Sequence, residues 1–135
     1  MPGSIVIRRG QPRFRRMLLD AYGGRCAVTG TEIEGLLEAA HLSPYKGDHT
    51  DRVSNGLLLR ADIHTLFDLH LLTVLPNLTV RVGPDALTEP YSAFDGTEVA
   101  VPARPSERPD PVVLMEHNHG RGWPRDSPQP DGALF

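Results

Sequence analysis

A chain of 135 residues, 39% hydrophobic and 23% charged, has the size and composition of one soluble domain with a modest core. Its single cysteine, Cys26, excludes a disulfide framework within the chain and a zinc-ribbon knuckle. No segment approaches the roughly 18 apolar residues of a membrane span, and the amino terminus lacks the apolar core of a signal peptide. We therefore expect a cytoplasmic protein without membrane association.

The net charge of −3 hides an uneven distribution of charge. Residues 1–25 contain six arginines against a single acidic residue, Asp20. Such a segment can bind a polyanion, although an arginine-rich helix face exposed to solvent is the plain structural alternative. Charge alone does not decide between the two.

An amphipathic helix is predicted over residues 12–22, because its apolar residues recur at the spacing of one helix face. These residues are Phe14, Met17, Leu18, Ala21 and Tyr22. Pro12 suits the first turn, and Gly23 and Gly24 end the helix. Residues 26–30 are predicted to form a short extended piece closed by a turn.

Two short strands are predicted in the centre of the chain. The first covers residues 36–42 and stops at Ser43-Pro44, after which the polar residues 44–54 form a loop. The second covers residues 56–60, and Asn55 immediately precedes it.

A short helix is predicted to follow over residues 61–69, with Ile63, Leu66 and Phe67 on its buried stripe.

The later elements are a β-hairpin of residues 71–75 and 78–82 about Pro76-Asn77, a strand near residues 98–101, and a helix over residues 111–117. These elements define an α+β fold. We assign residues 1–119 to one domain and expect residues 120–135, rich in Pro, Gly and Asp, to form a flexible tail.

Four polar residues, His41, Asn55, His64 and Asp68, follow one another at separations of 14, 9 and 4 residues. Residues of these types can together activate water beside a metal ion. His64 and Asp68 stand one helical turn apart, so both side chains project from one face of the predicted helix and can share a cation. The candidate functional site therefore lies on the two strands and the short helix.

The order of strand, loop, strand and helix that carries these residues resembles the HNH nuclease family. The resemblance rests on Leu37-Glu38-Ala39-Ala40-His41-Leu42-Ser43-Pro44, Asn55-Gly56-Leu57-Leu58-Leu59 and His64-Thr65-Leu66-Phe67-Asp68, with Cys26-Ala27-Val28-Thr29-Gly30 upstream. It covers roughly residues 8–82, with a motif core at 26–75. It implies a ββα-metal core, preceded by the amphipathic helix and followed by the hairpin, and metal-dependent cleavage of phosphodiester bonds in DNA.

The resemblance implies a role for each of the four residues. His41 is the general base that takes a proton from the attacking water. Asn55 pins the loop between the strands and so orients the base, although an isolated Asn55-Gly56 pair would indicate only a turn. His64 and Asp68 hold a divalent metal ion that stabilises charge on the leaving oxygen.

One position departs from the family pattern. Many members carry a His or Asp as a further metal ligand immediately before the base histidine, and this chain has Ala40 there. Glu38 lies three positions before His41 on the same strand and should point the other way, so it is left as a secondary candidate. With two protein ligands we expect Mg²⁺, while Mn²⁺, Ni²⁺ and Zn²⁺ stay open.

Basic residues before and around the motif are predicted to contact the DNA backbone, because guanidinium groups bind phosphate oxygens in pairs. They are Arg8, Arg9, Arg15, Arg16, Lys46 and Arg60. No base-reading helix is evident in the sequence, so we expect little intrinsic sequence specificity.

Three functions stay open at the level of sequence. The first is a metal-dependent DNA endonuclease, either free-standing or the nuclease module of a restriction or phage system. The second is a non-catalytic nucleic-acid-binding module whose metal only stabilises the fold, an alternative that Ala40 raises. The third is a metallohydrolase acting on another phosphoester. The oligomeric state is also open, a dimer included.

Overall fold

The structure, a computed structural model, describes residues 12–44 and 46–120. Its helices and strands in that part of the chain are α1 (Pro12–Ala21), β1 (Leu37–His41), β2 (Gly56–Arg60), α2 (Ala61–Asp68), β3 (Leu72–Val74), β4 (Val80–Val82) and α3 (Pro111–Gly120). Turns and short 3₁₀ helices join them. The fold class is α+β, as the sequence predicts. Arg8, Arg9 and residues 121–135 of the predicted tail lie outside the described residues.

Helix α1 forms where the apolar spacing predicts it and packs against β1 and β2. Phe14 and Leu18 on its inner face are fully buried. The helix ends because Gly23 and Gly24 adopt φ angles of +64° and +71°, a left-handed conformation that costs other residues energy.

Strands β1 and β2 pair antiparallel and lie at the centre of the core. His41 pairs with Gly56 at one end of the ladder, and Leu37 pairs with Arg60 at the other. Since side chains alternate along a strand, Glu38 shares a face of β1 with Ala40, whereas His41 lies on the opposite face. Arg60 leads directly into α2, which packs against both strands.

The predicted hairpin and the last helix complete the core. Strands β3 and β4 pair antiparallel, with Leu72 opposite Val82 at one end and Val74 opposite Val80 at the other. Helix α3 reaches Gly120, three residues beyond its predicted end. Its His117 is buried, stacks on Phe67 with ring centroids 4.6 Å apart, and places Nδ1 3.0 Å from the carbonyl oxygen of Leu42. Among the described residues, no helix has both the length and the apolar character needed to cross a membrane.

Two local predictions are wrong. Residues 26–30 form a turn rather than an extended piece, because the Cys26 sulfur accepts hydrogen bonds from the backbone N–H groups of Thr29 and Arg60. The predicted strand at residues 98–101 is a single bridge between Glu98 and Thr79. The strand pairing stops there because the backbone N–H of Ala100 donates a hydrogen bond to the carbonyl oxygen of Ala27 at 2.9 Å instead.

Candidate active site

His41 ends β1, where an aromatic ring and a carboxylate hold its imidazole. The ring stacks on Phe14 of α1, with centroids 4.2 Å apart and planes inclined by 14°. Its Nε2 lies 2.8 Å from Oδ1 of Asp51, and the two side chains are 20% and 9% exposed. An ionised carboxylate only accepts hydrogen bonds, so Nε2 carries the proton in this pair. A neutral His41 then has its basic lone pair on Nδ1.

Asn55 lies immediately before β2, is buried, and binds the loop between the two strands. Its Oδ1 accepts from the backbone N–H of Ser43 at 3.0 Å. Its Nδ2 donates to the carbonyl oxygens of Thr50 at 2.9 Å and Ser43 at 3.4 Å. Asp51 follows Thr50 directly, so the amide fixes the loop backbone beside the carboxylate that contacts His41.

His64 and Asp68 lie together on α2, as their spacing predicts. His64 Nε2 and Asp68 Oδ2 are 3.5 Å apart, and the side chains are 12% and 57% exposed. A metal bonds imidazole nitrogen or carboxylate oxygen at about 2.1 Å, so one ion can span this separation. An imidazole and a carboxylate form a donor set that suits a divalent ion. Solvent reaches the site beside the exposed Asp68, so water molecules can complete the coordination. Within the described residues, no group of three or more His, Cys, Asp or Glu side chains has metal-binding geometry.

Glu38 contacts His64 on the face of β1 opposite His41. Its Oε1 lies 2.7 Å from His64 Nδ1, and the glutamate side chain is 8% exposed. Strand alternation counted from His41 predicts that Glu38 points away from that histidine, so the sequence indicates Glu38 only as a secondary candidate. In the structure α2 packs on the face of β1 that carries Glu38 and Ala40, and residue spacing alone does not specify which face a following helix covers.

Asp51 was also missed at the level of sequence. It lies in the polar loop between the strands, and spacing alone does not distinguish it from Asp48, the other acidic residue of that loop. Only the folded loop, fixed by the hydrogen bonds of Asn55, brings the Asp51 carboxylate to His41.

Two of the predicted DNA-binding arginines make contacts within the protein. Arg15 donates from Nε to the carbonyl oxygen of Leu37 at 3.0 Å and from Nη2 to that of Glu34 at 2.8 Å, which ties α1 to β1. Arg16 forms exposed ion pairs with Asp20 at 3.8 Å and with Glu34 at 3.5 Å. Their contacts with DNA stay a prediction.

The other two predicted DNA-binding residues within the described part of the chain are Arg60, which is ion-paired within the protein, and Lys46, which is exposed. Arg60 forms a two-fold ion pair with Asp62, at 2.7 and 3.0 Å, and the hydroxyl of Tyr91 donates to the same carboxylate at 2.8 Å. The hydrogen bond from Arg60 lowers the pKa of Asp62, with a further contribution from Tyr91. A role for either cation in binding DNA stays a prediction.

Comparison with known proteins identifies a similar family. The sequence pattern of a family described as HNH endonuclease matches residues 26–75, which confirms the resemblance to that family. HNH nucleases generally use a divalent metal ion. Comparison with curated proteins gives no match.

A solved structure described as a modification dependent TagI restriction endonuclease has a similar fold. The TM-score is 0.57 and the sequences are 22% identical. The alignment covers 87% of this chain and 39% of that chain, so this protein corresponds to less than half the length of its structural relative.

Proposed function

We propose that this protein is a metal-dependent endonuclease that hydrolyses phosphodiester bonds of DNA, with β1, β2 and α2 as its ββα-metal core. The observation that carries the proposal is the pairing of His41 with Asp51 at the end of β1, on a strand that also contacts the His64 and Asp68 face of α2. The first pair supplies a base, and the second supplies ligands for a metal ion.

His41 acts in this proposal as the general base. The Nδ1 lone pair takes a proton from a water molecule, whose oxygen attacks phosphorus while the bond to the leaving oxygen breaks. The imidazolium that forms is stabilised by Asp51, which stays ionised and keeps the ring oriented. A general base contributes about 10²–10⁴ in rate. Asn55 positions this pair by fixing the loop that precedes Asp51.

His64 and Asp68 would hold a divalent ion, with Mg²⁺ as our proposal because it keeps several waters and needs few protein ligands. When bound, such an ion stabilises the charge that develops on the leaving oxygen. The half-exposed Asp68 leaves the site open to a phosphate of the duplex. Basic residues of α1 and the loop, together with Arg8, Arg9 and Arg60, are proposed to contact the DNA backbone.

A restriction system is the proposed setting. One similar protein of known structure is described as a modification dependent restriction endonuclease, and this chain covers 39% of it. The runner-up function is a nucleic-acid-binding module with a structural metal, which Ala40 favours because it contributes no ligand at the position before His41.

Nicking of supercoiled plasmid tests the proposal. We expect the purified protein to convert the plasmid to open-circular or linear forms with Mg²⁺ or Mn²⁺ and to stop when EDTA is added. His41→Ala should cut about 10²–10⁴ times more slowly, whereas the control His119→Ala, an exposed histidine of α3, should cut like the parent. Equal cutting by His41→Ala would reject the base assignment. DNA retention in a gel shift, without cleavage under either ion, would favour the binding module.

A further inference from the structure

Glu38 is an ionisable residue in an otherwise apolar part of β1. Its side chain is 8% exposed, and the next two residues, Ala39 and Ala40, are also buried. Burying a carboxylate costs free energy unless it is hydrogen-bonded, and an apolar residue would suit packing alone at this position. A contact that helps to compensate the burial is the 2.7 Å approach of Oε1 to Nδ1 of His64.

The chemistry of this contact fixes the state of the imidazole. A carboxylate offers no proton, so His64 donates from Nδ1. In neutral imidazole the other nitrogen, Nε2, is then the basic one, and Nε2 is the atom that lies 3.5 Å from Asp68 Oδ2. The carboxylate of Glu38 therefore selects the tautomer in which His64 can bind a metal on the side of Asp68.

We propose that Glu38 is a positioning residue of the metal site: by accepting the Nδ1 proton of His64, it holds the imidazole with Nε2 toward Asp68. The inference rests on the proposed function, since it takes His64 and Asp68 as the metal ligands. A carboxylate behind a ligand histidine both orients the ring and makes it a stronger donor. Asp51 likewise orients a histidine by accepting a ring proton, in this case the Nε2 proton of His41.

Titration of the metal-free protein with Mn²⁺, in the absence of DNA, tests this role. Loss of such a carboxylate typically weakens metal binding about 10–100-fold, and we expect that loss for Glu38→Ala. Glu38→Gln should lose less, because its amide oxygen still accepts the Nδ1 proton. Glu116→Gln, which changes an exposed acid of α3, is the matched control and should bind Mn²⁺ like the parent.

A second measurement reports the tautomer without metal. Long-range ¹H–¹⁵N NMR spectra should show His64 protonated at Nδ1 in the parent and in Glu38→Gln, and a mixture of tautomers in Glu38→Ala. A purely structural role for Glu38 would lower the melting temperature of Glu38→Ala and leave Mn²⁺ affinity unchanged, which would overturn the inference. Equal loss in both variants, with the Nδ1 tautomer kept in Glu38→Gln, would make Glu38 a ligand itself and would also overturn it.

His64→Ala separates this inference from the proposed function. If that variant loses Mn²⁺ and Glu38→Ala does not, the role of Glu38 alone is wrong. If His64→Ala binds Mn²⁺ like the parent, the proposed metal site is wrong and the role of Glu38 falls with it. If Glu38→Ala behaves as expected but no protein nicks plasmid, the positioning role stands and the endonuclease assignment is wrong.

Discussion

The imidazole of His41 lies against the phenyl ring of Phe14, with ring centroids 4.2 Å apart and planes inclined by 14°. Phe14 is fully buried on α1 and also approaches Gly56, the residue that pairs with His41 across the sheet. A Cβ atom at Gly56 would lie 2.6 Å from Cζ of Phe14, well inside van der Waals contact. The absence of a side chain at Gly56 therefore makes room for the ring that supports the proposed base.

Gly56→Ala should destabilise the protein, because the added methyl displaces Phe14 and also meets Leu18 at 3.1 Å. Overpacking of a filled core costs about 1–3 kcal/mol, and we expect a loss of that size in the free energy of unfolding measured with urea. Plasmid nicking should slow as well, since the displaced ring no longer supports His41. Gly35→Ala is the control, because a Cβ there meets nothing within 4 Å. Equal stability of the two variants would contradict this packing.

Asp51→Asn should slow DNA cleavage by about 10²-fold, within the range that a general base supplies. An asparagine amide can donate as well as accept, so it no longer specifies the Nε2–H tautomer of His41 and no longer stabilises the imidazolium. DNA affinity, measured by gel shift, should stay near that of the parent. Asp85→Asn changes an exposed aspartate of the Pro84–Ala86 turn and should leave the rate unchanged. A parental rate for Asp51→Asn would remove Asp51 from the mechanism.

Asp62→Asn should lower stability at neutral pH and have little effect in acid. The pKa of Asp62 is lowered in the folded protein, first by the hydrogen bond from Arg60. Its stabilising contribution is therefore complete above the unfolded pKa of about 3.9 and is lost as the pH falls through the lower folded value. For a partly exposed pair we expect about 0.5–1 kcal/mol at pH 7.

Urea unfolding of the parent and Asp62→Asn at several pH values measures that difference. The gap between the two proteins should close below pH 4, where the carboxyl of Asp62 is protonated in the unfolded chain and progressively in the folded one. A gap that persisted undiminished in acid would show that the substitution acts through shape and hydrogen bonding at the start of α2, not through charge.

Removal of metal should lower the melting temperature. A ligand that binds only the native state stabilises it by RT ln(1 + [L]/Kd), which is about 2.7 kcal/mol at a concentration one hundred times Kd. We expect Mn²⁺ to raise the melting temperature of EDTA-treated protein, and Asp68→Ala to remove most of that rise. Unchanged melting of the parent with and without Mn²⁺ would show that the ion enters only together with DNA.

Local patterns were enough to predict most of the elements. Apolar spacing predicted α1 and α2 to within a residue or two of their ends, and the Pro76-Asn77 turn predicted the β3–β4 hairpin. The errors fall where a distant group competes for the backbone, as where the Cys26 sulfur accepts two N–H groups and holds residues 26–30 in a turn. Such contacts depend on segments far apart in sequence, so local propensity does not encode them.

The sequence by itself determined the pairing of His64 with Asp68, because a separation of four residues on a helix puts two side chains on one face whatever surrounds them. It also determined that His41 and Asn55 stand at the adjoining ends of two strands. Only the tertiary structure decided which carboxylates hold the two histidines. Asp51 reaches His41 through the path of a loop, and Glu38 reaches His64 because α2 packs on the face of β1 away from His41. Both contacts depend on how elements pack together, which the spacing of residues within one element does not specify.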